Sequence, residues 1–236
     1  MKSLSDLPRN SIKALIFDLD DTLCDYAGAK RRGLELVSER LVARGHAVEG
    51  FWRIYESEEP KLFAKFAAGD LSRDDYRRRR FLAPLTAIGA PEPQFADELS
   101  NLYMGVANGE VMLFPDALRV LRNIRVAGRQ TALLTNGPSD GQRQKITRLG
   151  LDKLLDAIGI SEELRTGKPD ARAFHAIAGL LGVLPSECLM VGDSLETDIR
   201  GALGAGMCAA LLSERDDVET GVLVIRRLAE LEQWLR

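Results

Sequence analysis

Short apolar runs that stop at polar clusters recur along this chain, and the first is the plainest. Ala14-Leu15-Ile16-Phe17 runs straight into Asp18-Leu19-Asp20-Asp21-Thr22-Leu23. A continuous apolar run of that length marks a strand buried on both faces. Beyond it, residues 25–108 show no two-residue alternation and read as helical throughout. Leu34, Val37, Leu41 and Val42 recur at spacings of a helix face, and Gly45 is placed to cap it. Phe51, Trp52 and Tyr55 form a second apolar stripe, and Leu62, Phe63 and Phe66 a third. Ser72 followed by Asp74 and Asp75 has the form of an N-cap with acidic residues in the first turn. Pro91 and Pro93 precede a helix carrying Phe95, Leu99, Leu102, Tyr103 and Val106.

The texture changes near Val111. Pro115 suits the first turn of a helix over 116–126, closed by Gly128. A short strand over 130–134 stops at Thr135-Asn136-Gly137-Pro138, and a helix over 139–149 ends at Gly150. A strand over 156–160 follows, then a helix opened by Pro169 and ended by Gly182. Strands over 188–192, 208–212 and 222–225 complete the pattern, with a helix over 195–203 between the first two. This alternation predicts an α/β fold with a Rossmann-like parallel sheet core and helices on both faces. Residues 1–24 and 110–236 form that core, and 25–109 form an all-helical domain inserted after the first strand.

Composition excludes several classes. The chain has 236 residues, 45% apolar and 28% charged, enough for a large domain and a smaller companion. A net charge of −3 argues against a nucleic acid polymer or an acidic membrane surface as partner. Residues 1–12 hold no signal-peptide core, and no stretch approaches the ~20 apolar residues of a membrane helix. Cys24, Cys188 and Cys208 form no C-x-x-C pair and sit beside apolar residues, as buried thiols in a reducing compartment do. A cytoplasmic protein handling a small molecule, as monomer or homodimer, is expected.

Candidate chemistry gathers at the strand ends, where open parallel sheets bind ligands. If strand geometry persists, Asp18 and Asp20 point the same way. Their repulsion then calls for a bound cation, a shared proton or both. The second strand ends in Thr135, Asn136 and Gly137, the last with an approachable backbone N–H. The fourth ends in Gly192-Asp193-Ser194, with Asp198 beyond it, and Lys168 lies just before the helix marked by Pro169. Taken singly these are a turn, a surface charge and a helix cap. Together, the carboxylates suit a hard cation such as Mg²⁺, the lysine suits phosphate oxygens, and an aspartate can attack phosphorus.

Four segments in order carry a family resemblance. They are Phe17-Asp18-Leu19-Asp20-Asp21-Thr22-Leu23, Leu134-Thr135-Asn136-Gly137, Gly167-Lys168-Pro169-Asp170 and Val191-Gly192-Asp193-Ser194-Leu195-Glu196-Thr197-Asp198. This set resembles the motifs of the haloacid dehalogenase superfamily, and the helical insert falls where that family carries its first-type cap. The resemblance implies Asp18 as nucleophile and Asp20 as general acid/base. It implies Thr135, Asn136 and Lys168 as phosphate-binding residues. Mg²⁺ would be held by Asp18, the Asp20 backbone carbonyl and Asp193, with Asp198 supporting Lys168 or metal-bound water. Dehalogenases of the superfamily lack an aspartate two residues after the nucleophile, so Asp20 places this chain with the phosphotransferring members. The activity so implied is Mg²⁺-dependent hydrolysis of a small phosphomonoester, a nucleotide or sugar phosphate, through an aspartyl-phosphate.

Residues 69–76 with Arg80-Phe81, and Gln142, Lys145 and Gly150 after the Thr135 motif, resemble pyrimidine 5′-nucleotidases and N-acylneuraminate-9-phosphatases. Phe51, Trp52 and Tyr55 are candidates to stack a base, although such a stripe is more often core. In the run Arg77-Arg78-Arg79-Arg80, helical geometry lets at most two side chains face one site, the rest being solvated. The alternatives are a phosphomutase, which needs a further acid/base from the insert, and a non-catalytic phosphate-binding regulator, which loss of Asp18 or Asp20 would signal. No such group stands out in the insert, and both aspartates are present.

Overall fold

The computed structural model describes residues 3–215 and 221–235; residues 1, 2, 216–220 and 236, all within the expected core domain, lie outside the description. The chain divides into two compact units, Met1–Asp25 with Met112–Arg236, and Tyr26–Val111. The first opens with β1 (Ala14–Phe17), whose four residues are all buried.

The second unit is built of α1 (Tyr26–Ala43), α2 (Val48–Ala68), α3 (Arg73–Ala87) and α4 (Pro93–Gly109). The stripes at Phe51 and Leu62 share one helix, α2, which runs through Pro60 to a left-handed cap at Gly69. Ser72 caps α3 by accepting from the Asp75 N–H at 3.1 Å. Pro93 stands at the start of α4, where its missing N–H would have had no helical partner anyway. The unit's core packs Val37, Leu41, Phe51, Tyr55, Phe81, Leu85, Phe95, Leu99 and Tyr103 together. Phe51 and Tyr55 are therefore spent on packing rather than left to stack a base. Trp52 is half-buried and donates from Nε1 to Ser38 Oγ at 2.9 Å. Among the arginines, Arg78 pairs with Asp97 on the surface. Arg80 neither faces solvent nor stands free: it is 4% exposed, with its guanidinium 4.6 Å from the Tyr103 ring centre and 5.3 Å from that of Tyr76. Aromatic faces offset part of the cost of drying that cation.

In the first unit, α5 (Ala117–Val126), β2 (Gln130–Thr135), α6 (Ser139–Arg148), β3 (Ala157–Ile160), α7 (Ser161–Leu164) and α8 (Ala171–Leu181) follow in order. Then come β4 (Cys188–Gly192), a π-helical turn over Leu195–Arg200, α9 (Gly201–Gly204), β5 (Cys208–Leu212), β6 (Val224–Ile225) and α10 (Glu230–Leu235). Two starts differ from expectation, each helix beginning two residues past its proline with an aspartate at the cap position. Pro115 lies before Asp116, the cap of α5. Pro169 lies outside α8, whose cap Asp170 accepts from the Arg172 N–H at 2.9 Å. The expected helix over 195–203 splits into a π-turn and α9, and β6 keeps two of the four expected residues.

Among the described residues the sheet has six parallel strands in the order β3-β2-β1-β4-β5-β6. Ala14 and Ile16 join Ala132, Leu134, Cys188 and Met190 on one face, covered by Phe174 and Ile177 of α8 and Ala202 of α9. Leu15 and Phe17 alternate to the other side, and α5 packs on β2 and α10. Phe17 is level with Leu133 of β2 and Val191 of β4. The chain continues from β1 to β2 on one side, while β4 flanks the other. The three strand ends therefore meet where the strand order reverses, the place such sheets offer to ligands.

Candidate active site

The strand ends hold four carboxylates and two lysines. Asp18 extends β1 by one ladder bond, its N–H donating to the Val191 carbonyl at 3.0 Å. After it the backbone leaves strand geometry. Asp21 has φ 60°, and the amides of Leu23 and Cys24 turn back to the Leu19 carbonyl. The charge of Asp20 still acts on Asp18, and each carboxylate has its own lysine. Lys168 Nζ lies 2.5 Å from Asp18 Oδ1 and 2.6 Å from Asp198 Oδ1. Lys145 Nζ lies 2.5 Å and 2.6 Å from the two oxygens of Asp20.

Each partner is placed by its local sequence. Lys168 sits in the loop before α8, strapped to the end of β2 by the Asn136 side chain. Asn136 Oδ1 accepts from the Lys168 N–H at 2.9 Å, and Nδ2 donates to the Lys168 carbonyl at 2.7 Å. Both ends of that side chain thus hold the Lys168 backbone. Gly167 is needed for the strap, because a Cβ there would meet Asn136 Oδ1 at 2.8 Å. The expected open N–H of Gly137 is taken: it donates to Ser161 Oγ at 2.9 Å, since α7 packs its first residue against this turn. Asp193 does not cap the helix that follows β4; Ser194 does, accepting from the Thr197 N–H at 3.2 Å. Asp193 Oδ1 accepts instead from Thr22 Oγ1 at 3.3 Å. The π-turn, a rare geometry that recurs at functional sites, brings Asp198 back so that its Oδ2 accepts from the Ser194 N–H at 3.0 Å.

Carboxylate oxygens of Asp18, Asp193 and Asp198 all lie within 4.8 Å of one another, an all-oxygen donor set of the kind hard divalent cations take. The Asp20 carboxylate is outside this set, on Lys145. Four carboxylates against two lysines leave two negative charges, and the surplus registers on the cluster. Burial pushes Asp18 up to about 7, Lys168 opposing and Asp198 and Asp20 adding to the rise. The Asp193 side chain reaches solvent, yet loss of water around its carboxyl and the charge of Asp198 push it up to about 6. Burial alone would lower Lys168, but Asp18 and Asp198 hold it above the ordinary lysine range. A doubly charged cation fits both the donor chemistry and the surplus.

Gln142 and Lys145 were legible only as a resemblance, with no role attached. Both are buried, on the same face of α6 as Gly141 and Ile146. An uncharged amide and a lysine at apolar-face positions of an otherwise charged helix are the signal that marks them. Gln142 Nε2 lies 2.6 Å from Thr135 Oγ1, 3.0 Å from the Asn136 carbonyl and 3.2 Å from Asp20 Oδ2. The structure thus brings Asp18, Asn136 and Asp198 around Lys168 and Asp20 onto Lys145, with Thr135 joined to Asp20 through Gln142 and Asp193 beside Asp18 and Asp198.

The chain resembles proteins of known kind over most of its length. A family model described as haloacid dehalogenase-like hydrolase matches residues 12–206. The N-acylneuraminate-9-phosphatase of Homo sapiens is 34% identical over 210 residues, 88% of this chain and 84% of that protein. A phosphoserine phosphatase from Thermus thermophilus is 32% identical over 225 residues, 84% of this chain and 87% of that one. Among solved structures, the HAD-hydrolase YfnB of Bacillus subtilis superposes with a TM-score of 0.74 at 24% identity, covering 95% of this chain and 99% of that one.

Proposed function

The chain belongs to the haloacid dehalogenase-like hydrolases and is a phosphatase of that family; from this premise we propose that it hydrolyses a small phosphomonoester through an aspartyl-phosphate on Asp18, with Mg²⁺ as cofactor. The observation that carries the proposal is the pairing of Asp18 and Asp20 with separate buried lysines. One carboxylate is held as a nucleophile and the other stands apart to handle protons.

Asp18 attacks phosphorus, and its new O–P bond forms as the P–O bond to the leaving alcohol breaks. Asp20, entering this step as the carboxylic acid, gives its proton to that departing oxygen. It then takes a proton from water, which attacks the phosphoryl group, releases inorganic phosphate and restores Asp18. Lys168, the Thr135 hydroxyl and the backbone at Asn136 hold the phosphoryl oxygens. Asp18, Asp193 and the Asp20 backbone carbonyl would hold Mg²⁺, while Asp198 fixes Lys168. When bound, the cation neutralises charge on the phosphoryl oxygens.

The unit Tyr26–Val111 acts as the cap and supplies substrate choice. Relatives named for an N-acylneuraminate 9-phosphate and for phosphoserine support a small phosphoester, with nucleotides and sugar phosphates as the first candidates. No helix among the described residues is long and apolar enough to cross a membrane. The test is hydrolysis of 4-nitrophenyl phosphate with and without Mg²⁺, followed by a panel of phosphorylated sugars, nucleotides and small acids. Full activity in Asp18→Asn would sink the mechanism.

A further inference from the structure

Asp20 lies three residues past β1, its backbone bridged only to Cys24, and the direction of its carboxylate is further fixed by contacts from outside that turn. Two side chains of α6 set it. Lys145, 2% exposed, grips both oxygens, and Gln142, 3% exposed, reaches Oδ2. Lysine is rarely buried to that degree without a partner to meet its charge, and here the partner is Asp20.

Gln142 does a second thing. Its amide nitrogen faces three oxygens, and two of them, the Asn136 carbonyl and the Asp20 carboxylate, accept only; nitrogen rather than oxygen must therefore stand there. The third, Thr135 Oγ1, is the shortest contact at 2.6 Å and takes one of the amide's two hydrogens. The other is shared between the remaining oxygens, so the hydroxyl's own hydrogen is directed elsewhere. A hydroxyl already serving as acceptor on one side is kept as a donor on the other.

Resting on the phosphatase reading, we propose that Gln142 and Lys145 are positioning residues: together they aim the Asp20 carboxyl at the leaving oxygen and hold the Thr135 hydroxyl as a donor to the phosphoryl group. Both act from α6, whose own first amide, that of Ser139, donates to Glu162 Oε2 at 2.6 Å. The helix is thereby tied to α7, and the clamp is fixed at its root. Small displacements of such groups cost far more in rate than in binding.

The test compares phenyl phosphate with 4-nitrophenyl phosphate by kcat/KM, in Mg²⁺, for the wild type, Lys145→Met and Gln142→Leu. The nitrophenolate departs without needing a proton, whereas the poorer phenolate relies on a well-aimed acid. In both variants kcat/KM for the phenyl ester is expected to fall at least about tenfold further than for the nitrophenyl ester. Lys145→Arg, which keeps a cation on α6, is expected to recover part of the phenyl ester rate. An equal fall for both esters, as general damage to the fold would give, overturns the proposal, and so does no fall. Should Lys145→Met fail to fold, Gln142→Leu carries the same comparison. Wild-type protein that cleaves neither ester overturns the phosphatase reading itself, a result distinct from any of these.

Discussion

Gly192 faces the Asp198 carboxylate so closely that a Cβ built on it would lie 2.3 Å from Oδ2. The last residue of β4 is therefore bare so that the π-turn can fold its aspartate back over the strand end, within reach of Lys168. Gly192→Ala is expected to displace Asp198, loosen Lys168 from Asp18 and lower kcat by about 10²-fold. Overpacking a buried contact should also cost about 1–3 kcal/mol, read from the urea midpoint. Normal turnover would mean that Asp198 does not set the lysine.

Asp18 makes the stability of the metal-free protein depend on pH. Its carboxyl ionises at about 7 in the fold against 3.8 ordinarily, so between these values the folded state holds a proton that the unfolded chain has released. Stability from this group therefore falls as pH rises through that window, by at most about 1.4 kcal/mol per pH unit. Asp18→Asn should flatten the slope measured by denaturant unfolding in EDTA. An unchanged slope would place the titration elsewhere.

A divalent cation should reverse that trend. Asp18 and Asp193 must give up their protons to bind it, and they do so only as pH passes about 6 to 7. Mg²⁺ is expected to raise Tm more at pH 8 than at pH 5.5, by mass action on the folded state. Equal shifts at both pH values would count against Asp18 and Asp193 as the carboxylates that bind it.

Asp20→Asn keeps the shape of the side chain but cannot give or take the proton. Turnover should drop by about 10²–10⁴-fold. With a substrate whose leaving group needs no proton, phosphoenzyme should accumulate, seen as a mass increase on the intact protein. Normal turnover would remove Asp20 from the chemistry.

Arg80 tests the helical unit separately. Nε and Nη2 are buried without a hydrogen-bond partner, and the stem packs among aromatic rings. Arg80→Met, which keeps the bulk and removes the charge, is expected to leave stability within about 1 kcal/mol or raise it. Arg80→Ala should cost about 2–5 kcal/mol through the cavity it leaves. Loss of folding in the methionine variant would show that the cation itself is required.

The strands were legible because a parallel sheet buries both faces: Ala14 to Phe17 and Cys188 to Gly192 carry that demand in unbroken apolar runs. The alternation of strands and helices then constrains the sheet type, and the strand ends named Asp18, Thr135, Lys168 and Asp193 as neighbours. Local pattern also marked the Ser72 cap, whose chemistry spans only a few residues. It misplaced Pro115 and Pro169, because a proline signals a helix start without saying which neighbour caps it.

What the chain by itself determined, then, was which residues meet, since burial patterns and strand ends are written into short stretches. How they meet was decided only in three dimensions. Asp18 and Asp20, two positions apart, answer to lysines 150 and 125 residues away. The Asn136 amide straps Lys168, and the Gly137 N–H is spent on Ser161. Each of these depends on a partner brought in by the winding of the sheet, and a hydrogen bond of under 3 Å between distant residues leaves no periodicity in the sequence to be read.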